Sequence, residues 1–408
     1  MSDRQNKLYI VGVGPGIDGL LTGEARELIE SCSCFVGGRR QLALAPARAE
    51  THVIDSDLVR ARLFITAGLE RGDVCVLGSG DPGSFSILPF LNQAFGDRIH
   101  VAPGISSVQL LSARLRVPWH DWRLLSLHGR WQELVPLPAG EAPTVYFCDQ
   151  TSSPRVIAGN LPTALAGRRA VVGSDLGLHG EQVWKGALAD VALLDFPGNS
   201  LLLLFPEQEA VEQTVSAPGI PDEAWLRCEG VPLSKSEVRA VLLAKAQPSG
   251  RRVIWDSGSG TGSYAIECAL LEPGAYVYAI DKNPEACSVL ADNARRFGAV
   301  VEPVCSEAPD CFAGLPKPDL VIIGGNDGRL EDIFHGALES LVPGGRLVVT
   351  ALLEETKKKA HGLFAASGLE NRAATRVAIS RGEAREWVEH NPVIIFTGDK
   401  PGTGSQNP

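Results

Sequence analysis

Val253 to Glu267 reads VIWDSGSGTGSYAIE: an apolar run, an aspartate, then Gly258, Gly260 and Gly262 on alternate positions. The pattern is that of a strand turning hard into a helix. A turn without side chains lets a ligand lie along the backbone, facing the free N–H groups of the helix start. Asp281 closes the next apolar run, where a carboxylate can accept hydrogen bonds from two ribose hydroxyls. A nucleoside-containing ligand follows. The dinucleotide fingerprint GxGxxG asks for glycine at position 263, but this chain has serine there, and Gly262 makes the spacing GxGxG. An NAD-dependent oxidoreductase, and a tight turn with no ligand at all, stand beside this reading.

A second glycine turn of another design opens the chain. In IVGVGPGIDGLLTGEA, Pro15 sits between Gly14 and Gly16, which makes a rigid loop. GSGDPGSFS (Gly78 to Ser86), APGISSVQLL (Ala102 to Leu111) and SLHGR (Ser126 to Arg130) follow. Each comes after an apolar run and before a possible helix, so each reads as a strand-end loop.

These loops need elements to hold them. Short apolar runs alternate with helical patterns in both halves, which predicts parallel sheets covered by helices, an α/β fold twice over. Strands are expected at Leu8 to Val13, Cys34 to Val36, Val253 to Trp255, Tyr276 to Ile280, Leu320 to Ile323 and Leu347 to Val349. Thr22 caps a helix with Ala25, Leu28, Ile29 and Cys32 on one face, and Ser234 with Glu237 predicts a capping box before VRAVLLAKA. The polar, proline-containing stretch after Phe205 shows no apolar period and reads as a linker. The expected domains are 1–207 and 223–398, joined by a linker at 208–222 and followed by a flexible tail at 399–408. At 408 residues the chain exceeds one ordinary core.

The totals bound the partners. No run approaches the roughly 18 apolar residues of a membrane span, and a net charge of −10 argues against nucleic acid. Nine scattered cysteines without a CxxC argue for reduced thiols in the cytoplasm and against structural zinc or any other metal site.

With Asp256 before the loop and Asp281 after the second strand, the C-terminal turn resembles the S-adenosylmethionine loop of Rossmann-like methyltransferases. VPLSKSEVRAVLLAKAQP, DKNPEACSVLADNARRFGA, SEAPD, DLVIIGGNDG and LVPGGRLVVTALLEE continue the likeness in one order. Together, over about residues 228 to 355, they resemble the C-terminal half of the precorrin-6Y C5,15-methyltransferase (decarboxylating) family of the corrin pathway. The four N-terminal loops resemble the tetrapyrrole methylases over about residues 7 to 205, and SLHGR with SDLGLHGEQVWKGAL points to the N-terminal half of the same family. The resemblance implies a two-lobed tetrapyrrole methylase fold followed by a Rossmann-like one, and S-adenosylmethionine bound at two sites per chain. It implies methylation of precorrin-6Y at carbons 5 and 15, with loss of carbon dioxide from the ring C acetate, in cobalamin biosynthesis. The partner is this small corrin precursor, with no nucleic acid and no membrane, and a homo-oligomer is expected. The rival within this reading is a single-site methyltransferase with one non-catalytic half.

Residue by residue, the resemblance places Gly80, Asp81, Ser106 and Ser107 at the N-terminal cofactor. At the C-terminal cofactor it places Gly258, Gly260 and Gly262 along the methionine part, Asp281 on the ribose, and Glu307 and Ala308 at the adenine. Pro15 and Gly16 would floor one substrate cleft, and Gly324 and Gly325 would open the other. His128, Arg130, Asn326 and Asp327 are the catalytic candidates. Asn326 and Asp327 stand where the family has a small, glycine-rich turn, so an ordinary polar turn is an equal reading for them. Corrin precursors carry many carboxylates, so arginine or lysine is needed near each cleft. Arg114, Arg116, Arg123 and Arg130 are candidates in the first half, and Lys235, Arg239 and Arg329 in the second.

Overall fold

Five short apolar runs, β1 (Leu8–Gly12), β2 (Cys34–Gly37), β3 (Glu50–Val53), β4 (Val74–Gly78) and β5 (Ile99–Ala102), pair as an all-parallel sheet in the order β3-β2-β4-β1-β5. Strand alternation sends Leu8, Ile10, Val74 and Val76 to one face, against Ile65 and Leu69 of α2 (Leu58–Arg71) and Leu91 of α3 (Leu88–Phe95). Val11, Phe35, Cys75 and Leu77 take the other face, against Ala25 and Ile29 of α1 (Gly23–Ser31). Each such side chain, fully buried, contributes roughly 2 kcal/mol of transfer free energy. Thr22 caps α1 by accepting from the Ala25 N–H at 3.2 Å, as its position predicts. This computed structural model describes residues 5–54, 57–127, 134–138, 142–206, 217–383 and 386–402.

After α4 (Ser107–Leu115) the first unit builds a second sheet from β6 (Arg123–Ser126), β7 (Thr144–Phe147), β8 (Arg169–Ser174), β9 (Gln182–Ala187) and β10 (Ser200–Leu204), ordered β6-β7-β10-β8-β9. Two short helices, α5 (Pro154–Gly159) and α6 (Leu188–Val191), accompany it. Only β6 and β7 are parallel here; the other pairs are antiparallel. The expectation of parallel sheets throughout therefore fails for this lobe. The link from β8 to β9 is too short for the crossover a parallel pair requires.

The second unit is formed chiefly by the described residues from Ala217 on. Its elements are α7 (Ser236–Ala246), β11 (Val253–Ser257), α8 (Ser263–Leu271), β12 (Tyr276–Asp281), α9 (Pro284–Phe297), β13 (Glu302–Cys305), β14 (Leu320–Ile323), α10 (Leu330–Ser340), β15 (Arg346–Ala351), α11 (Glu354–Ala366), β16 (Glu370–Glu383) and β17 (Glu386–Asp399). They form a seven-stranded sheet in the order β13-β12-β11-β14-β15-β17-β16. The first five strands are parallel, while β17 and β16 are antiparallel additions that the sequence reading lacked. Every residue of β11 and β14 is buried, as expected of central strands covered on both faces.

Three expectations about boundaries are corrected. No capping box forms at Ser234. The helix starts at Ser236, the Ser234 hydroxyl accepts from Tyr264 Oη (2.7 Å), and Glu237 pairs with Arg381 instead. The end of the supposed linker is part of the second unit: Gly219 donates its N–H to Glu267 and Ile220 offers its carbonyl to Arg239. The supposed tail starts too early. Asp399 ends β17 and takes a two-pronged bond from Arg346 (2.7 and 3.0 Å), and the Lys400 ammonium donates to the carbonyls of Leu338, Glu339 and Leu341 at the end of α10. Among the described residues no helix is long and apolar enough to cross a membrane.

Candidate active site

In the second unit a cleft of about 880 Å³ opens beyond the carboxyl ends of β12, β11 and β14. That is where the strand order reverses, and where open α/β sheets bind ligands. Its near wall is the loop Ser257–Gly260, together with Asp281, Glu307, Ala308 and the turn Gly324–Arg329. Backbone bonds fix the loop: Gly258 and Ser259 donate to Ile280 O (2.9 and 3.1 Å), and Gly325 donates to Gly258 O (3.2 Å). Gly258 has φ of +71°, and a Cβ on it would overlap the Gly325 carbonyl oxygen, so only glycine fits.

Asp281 receives the Gly260 N–H on Oδ2 (2.8 Å) and the Asn283 N–H on Oδ1 (2.9 Å). It thereby locks the glycine loop to the start of α9, and as a cleft-lining carboxylate it retains acceptor capacity on each oxygen. The buried hydroxyls of Ser257 and Ser259, both on the cleft wall, have no hydrogen-bond partner. A polar ligand along the loop would satisfy them, and so would the ribose at Asp281; the residues present therefore fit a nucleoside-bearing methyl donor.

Two residues expected at this cofactor stand behind it. Asp256 is fully buried, with Oδ2 accepting from the Ala265 N–H (3.1 Å) and Oδ1 unpartnered. It holds the first turn of α8 and does not line the cleft. Burial pushes its carboxyl up to about 7; the Ala265 N–H opposes the shift and the Asp281 charge adds to it. Gly262 also lies off the cleft, where a Cβ would strike Leu290 of α9. It serves helix packing.

The far end of the near wall is a charge lattice. Lys282 bridges Glu307 (3.4 Å) and Asp327 (3.1 Å), and Arg329 reaches Glu307 (3.2 Å), Asp310 and Asp332 (both 3.6 Å). Arg329 and Lys282 hold the Glu307 carboxyl below its usual range. Asn326 accepts from the Gly328 N–H (3.2 Å) and Asp327 has φ of +43°, so the pair forms a polar turn pinned to the cofactor side by Lys282. Arg239, a substrate candidate on sequence grounds, is fully buried. Its guanidinium donates to Glu267 (2.7 Å), Asp222 (2.9 Å) and the carbonyls of Ser234 and Ile220. Lys235, by contrast, lines the cleft.

Sequence reasoning missed the rest of the cleft. Ile379, His390, Asn391 and Val393 come from the β16–β17 hairpin, Leu352 and Leu353 from the loop after β15, and Val231 to Leu233 from the segment before α7. The hairpin was hidden because Pro392 reads against a strand.

In the first unit the loops after β4, β1 and β5 end on adjacent strands. Gly14 and Gly80 exchange backbone bonds (3.2 and 2.8 Å). A Cβ on Gly104 would overlap Gly80 O, so the third loop lies directly on the other two. Asp81 joins them, accepting from the N–H groups of Gly83 (2.8 Å) and Gly104 (3.1 Å). Ser106 forms a capping box with Gln109 at the start of α4, where Ser107 is the first helical residue. The side chains of Asp81 and Ser106 thus shape the loops. Pro15 is buried at Gly177, and Gly16 is half-buried beside it. Arg114 grips Glu181 through two bonds (2.5 and 3.1 Å), and Glu181 also accepts from the Gly177 N–H (2.7 Å), so Arg114 braces a loop rather than standing free for substrate. Arg116 is exposed at the end of α4. His128 and Arg130 lie outside the described residues.

A sheet ordered β13-β12-β11-β14-β15-β17-β16, with a glycine loop after β11 and an acid closing β12, defines a Rossmann-like methyltransferase. Residues 225–400 match the precorrin methyltransferase domain family, and residues 7–192 the tetrapyrrole (corrin/porphyrin) methylases. A Sinorhizobium protein named precorrin-6Y C(5,15)-methyltransferase [decarboxylating] is 34% identical over 85% of this chain and 84% of its own length. A probable cobalt-precorrin-6B C(15)-methyltransferase (decarboxylating) of Saccharolobus solfataricus is 33% identical over 45% of this chain and 96% of its own. A crystal structure titled precorrin-6Y C5,15-methyltransferase, from Geobacter metallireducens, is 32% identical, covering 46% of this chain and all of that one, with a TM-score of 0.44. The chain belongs to the family of decarboxylating precorrin-6Y C5,15-methyltransferases.

Proposed function

We propose that the chain methylates precorrin-6Y twice, once in each domain, and that the two domains each bind their own S-adenosylmethionine. The first domain acts at carbon 5. The second acts at carbon 15 and removes carbon dioxide from the ring C acetate, giving precorrin-8. The observation that carries this reading is the alignment of a relative named for both positions with 85% of the chain. Two glycine-built sites, at Gly80–Gly104 and at Gly258–Gly325, give it a physical basis.

The donor supplies a methyl group already activated on a sulfonium. The protein's task is to orient it, place the acceptor carbon in line and keep water out. In the second domain Asp281 orients the ribose, Ser257 and Ser259 satisfy polar atoms along the loop, and Glu307 and Ala308 border the base. In the first domain Gly80, Asp81, Ser106 and Ser107 belong to the loops that would hold the donor. Scattered thiols favour the cytoplasm, and a homo-oligomer is the expected assembly, measurable by sedimentation.

The test uses the whole chain with one site closed at a time. Gly104→Ala and Gly258→Ala each put a methyl group onto a neighbouring carbonyl oxygen. Gly104→Ala should give a product carrying one new methyl and lacking one carbon dioxide. Gly258→Ala should give one new methyl with the acetate kept. Loss of both methyls from a single variant, with the other variant at full activity, would refute the division of labour.

A further inference from the structure

The cleft of the second unit extends well past its cofactor loop, and its two ends differ in chemistry. On the cofactor side every cation is engaged: Lys282 with Glu307 and Asp327, Arg329 with Glu307. On the opposite side Lys359 has its own partner, Glu355 (2.8 Å). Lys235 and His390 line the same cleft, half-buried, and among the described residues neither makes an ion pair.

The backbone turns His390 inward. Val377 pairs with Val393 and Ile379 with His390, so two steps along β16 match three along β17. The extra residue is a β-bulge at Asn391–Pro392, where proline could not have joined the ladder. Through it His390, Asn391 and Val393 all reach the cleft. Leu352 and Leu353 follow β15 on the same wall, 49% and 67% exposed. Two large apolar side chains left bare at a cleft mark a surface that a ligand covers.

We propose that this half of the cleft sorts the carboxylates of the macrocycle: Lys235 and His390 hold those the substrate keeps, and the apolar surface of Leu352 and Leu353 receives the one it loses. The inference rests on the function proposed above. A retained carboxylate is anchored well by an ammonium and an imidazole N–H. A departing one must not be anchored. As its C–C bond breaks, carbon dioxide leaves and the electron pair passes to the methylene carbon and the conjugated ring. That carbon then takes a proton from water to become a methyl group. Charge leaves the carboxylate oxygens, so a cation held against them would stabilise the starting state more than the transition state. An apolar wall does the reverse.

The experiment uses the full chain in the Gly104→Ala background, so that only the second site acts. Failure of this parent to release carbon dioxide would overturn the functional reading itself, before any comparison. With the parent active, Leu353→Lys should slow carbon dioxide release about tenfold with S-adenosylmethionine affinity unchanged, and Leu353→Met should restore it. Lys235→Gln with His390→Gln should raise KM for the macrocycle about tenfold and leave kcat nearly unchanged. Carbon dioxide release unaffected by Leu353→Lys, or a KM unmoved by the double variant, overturns the proposal. Unchanged S-adenosylmethionine binding, read by calorimetry, shows that each variant is folded.

Discussion

Asp256 is fully buried directly behind the candidate site. An aspartate in water loses its proton near pH 4, whereas burial raises this one to about 7. Between those values the folded chain keeps a proton that the unfolded chain has lost, so this group's contribution to stability falls as pH rises through that window and is level above it. Asp256→Asn retains an oxygen for the Ala265 N–H and carries no charge. The variant should match the parent below about pH 4, gain on it steadily between about pH 4 and 7, and keep its full advantage above about pH 7. Thermal unfolding across that range measures the difference, and parallel curves for the two proteins would sink the assignment. Ser257 and Ser259 follow it in sequence but stand on the cleft wall, with hydroxyls that have no partner.

At the level of elements, the segment Gly219–Lys235 is held over the cleft by one buried cation. Arg239 reaches Asp222, Glu267 and two carbonyls, and Arg381 of the hairpin takes the second oxygen of Asp222 (2.8 Å). Burial opposes charge on Asp222, but the two arginines hold its carboxyl below the usual range. Arg239→Ala leaves Glu267 buried without an ion partner and Asp222 with Arg381 alone, a loss of about 3–5 kcal/mol. Urea unfolding of the second unit should show it, and a change below about 1 kcal/mol would mean the network is dispensable. Much of this level was legible beforehand. The strands β11, β12, β14 and β15 lie where buried apolar runs put them, because a parallel strand covered on both faces has little choice of residue. Arg239 was misread because a buried guanidinium looks the same in sequence as an exposed one; its partners Asp222 and Glu267 lie 17 and 28 residues away. The hairpin escaped for a different reason. It is largely exposed, its alternation is broken at Pro392, and its strandness comes from β15 next to it rather than from its own composition.

For the whole molecule, the two proposed donor sites are of different designs. The first lays three strand-end loops against one another. The second uses one loop, one carboxylate and a cleft closed by a hairpin. Titration calorimetry of the full chain should therefore show two S-adenosylmethionine sites of unequal affinity, and Gly258→Ala should remove one of them. A single site in the parent chain would contradict the two-site reading. The N-terminal design was readable only as far as its loops, since the expected substrate contacts His128 and Arg130 fall outside the described residues and Arg114 turned out to have a structural partner.

The contact between Gly258 and Gly325 also limits how this site can change over time. The obstacle to a side chain at Gly258 is a main-chain oxygen, which no second substitution can trim away. Variation is therefore barred from the loop and channelled into its neighbours. Asn326, half-buried on the cleft wall, and Asp327, exposed beside Lys282, meet no such barrier, so substitutions there should be tolerated where a side chain at Gly258 is not.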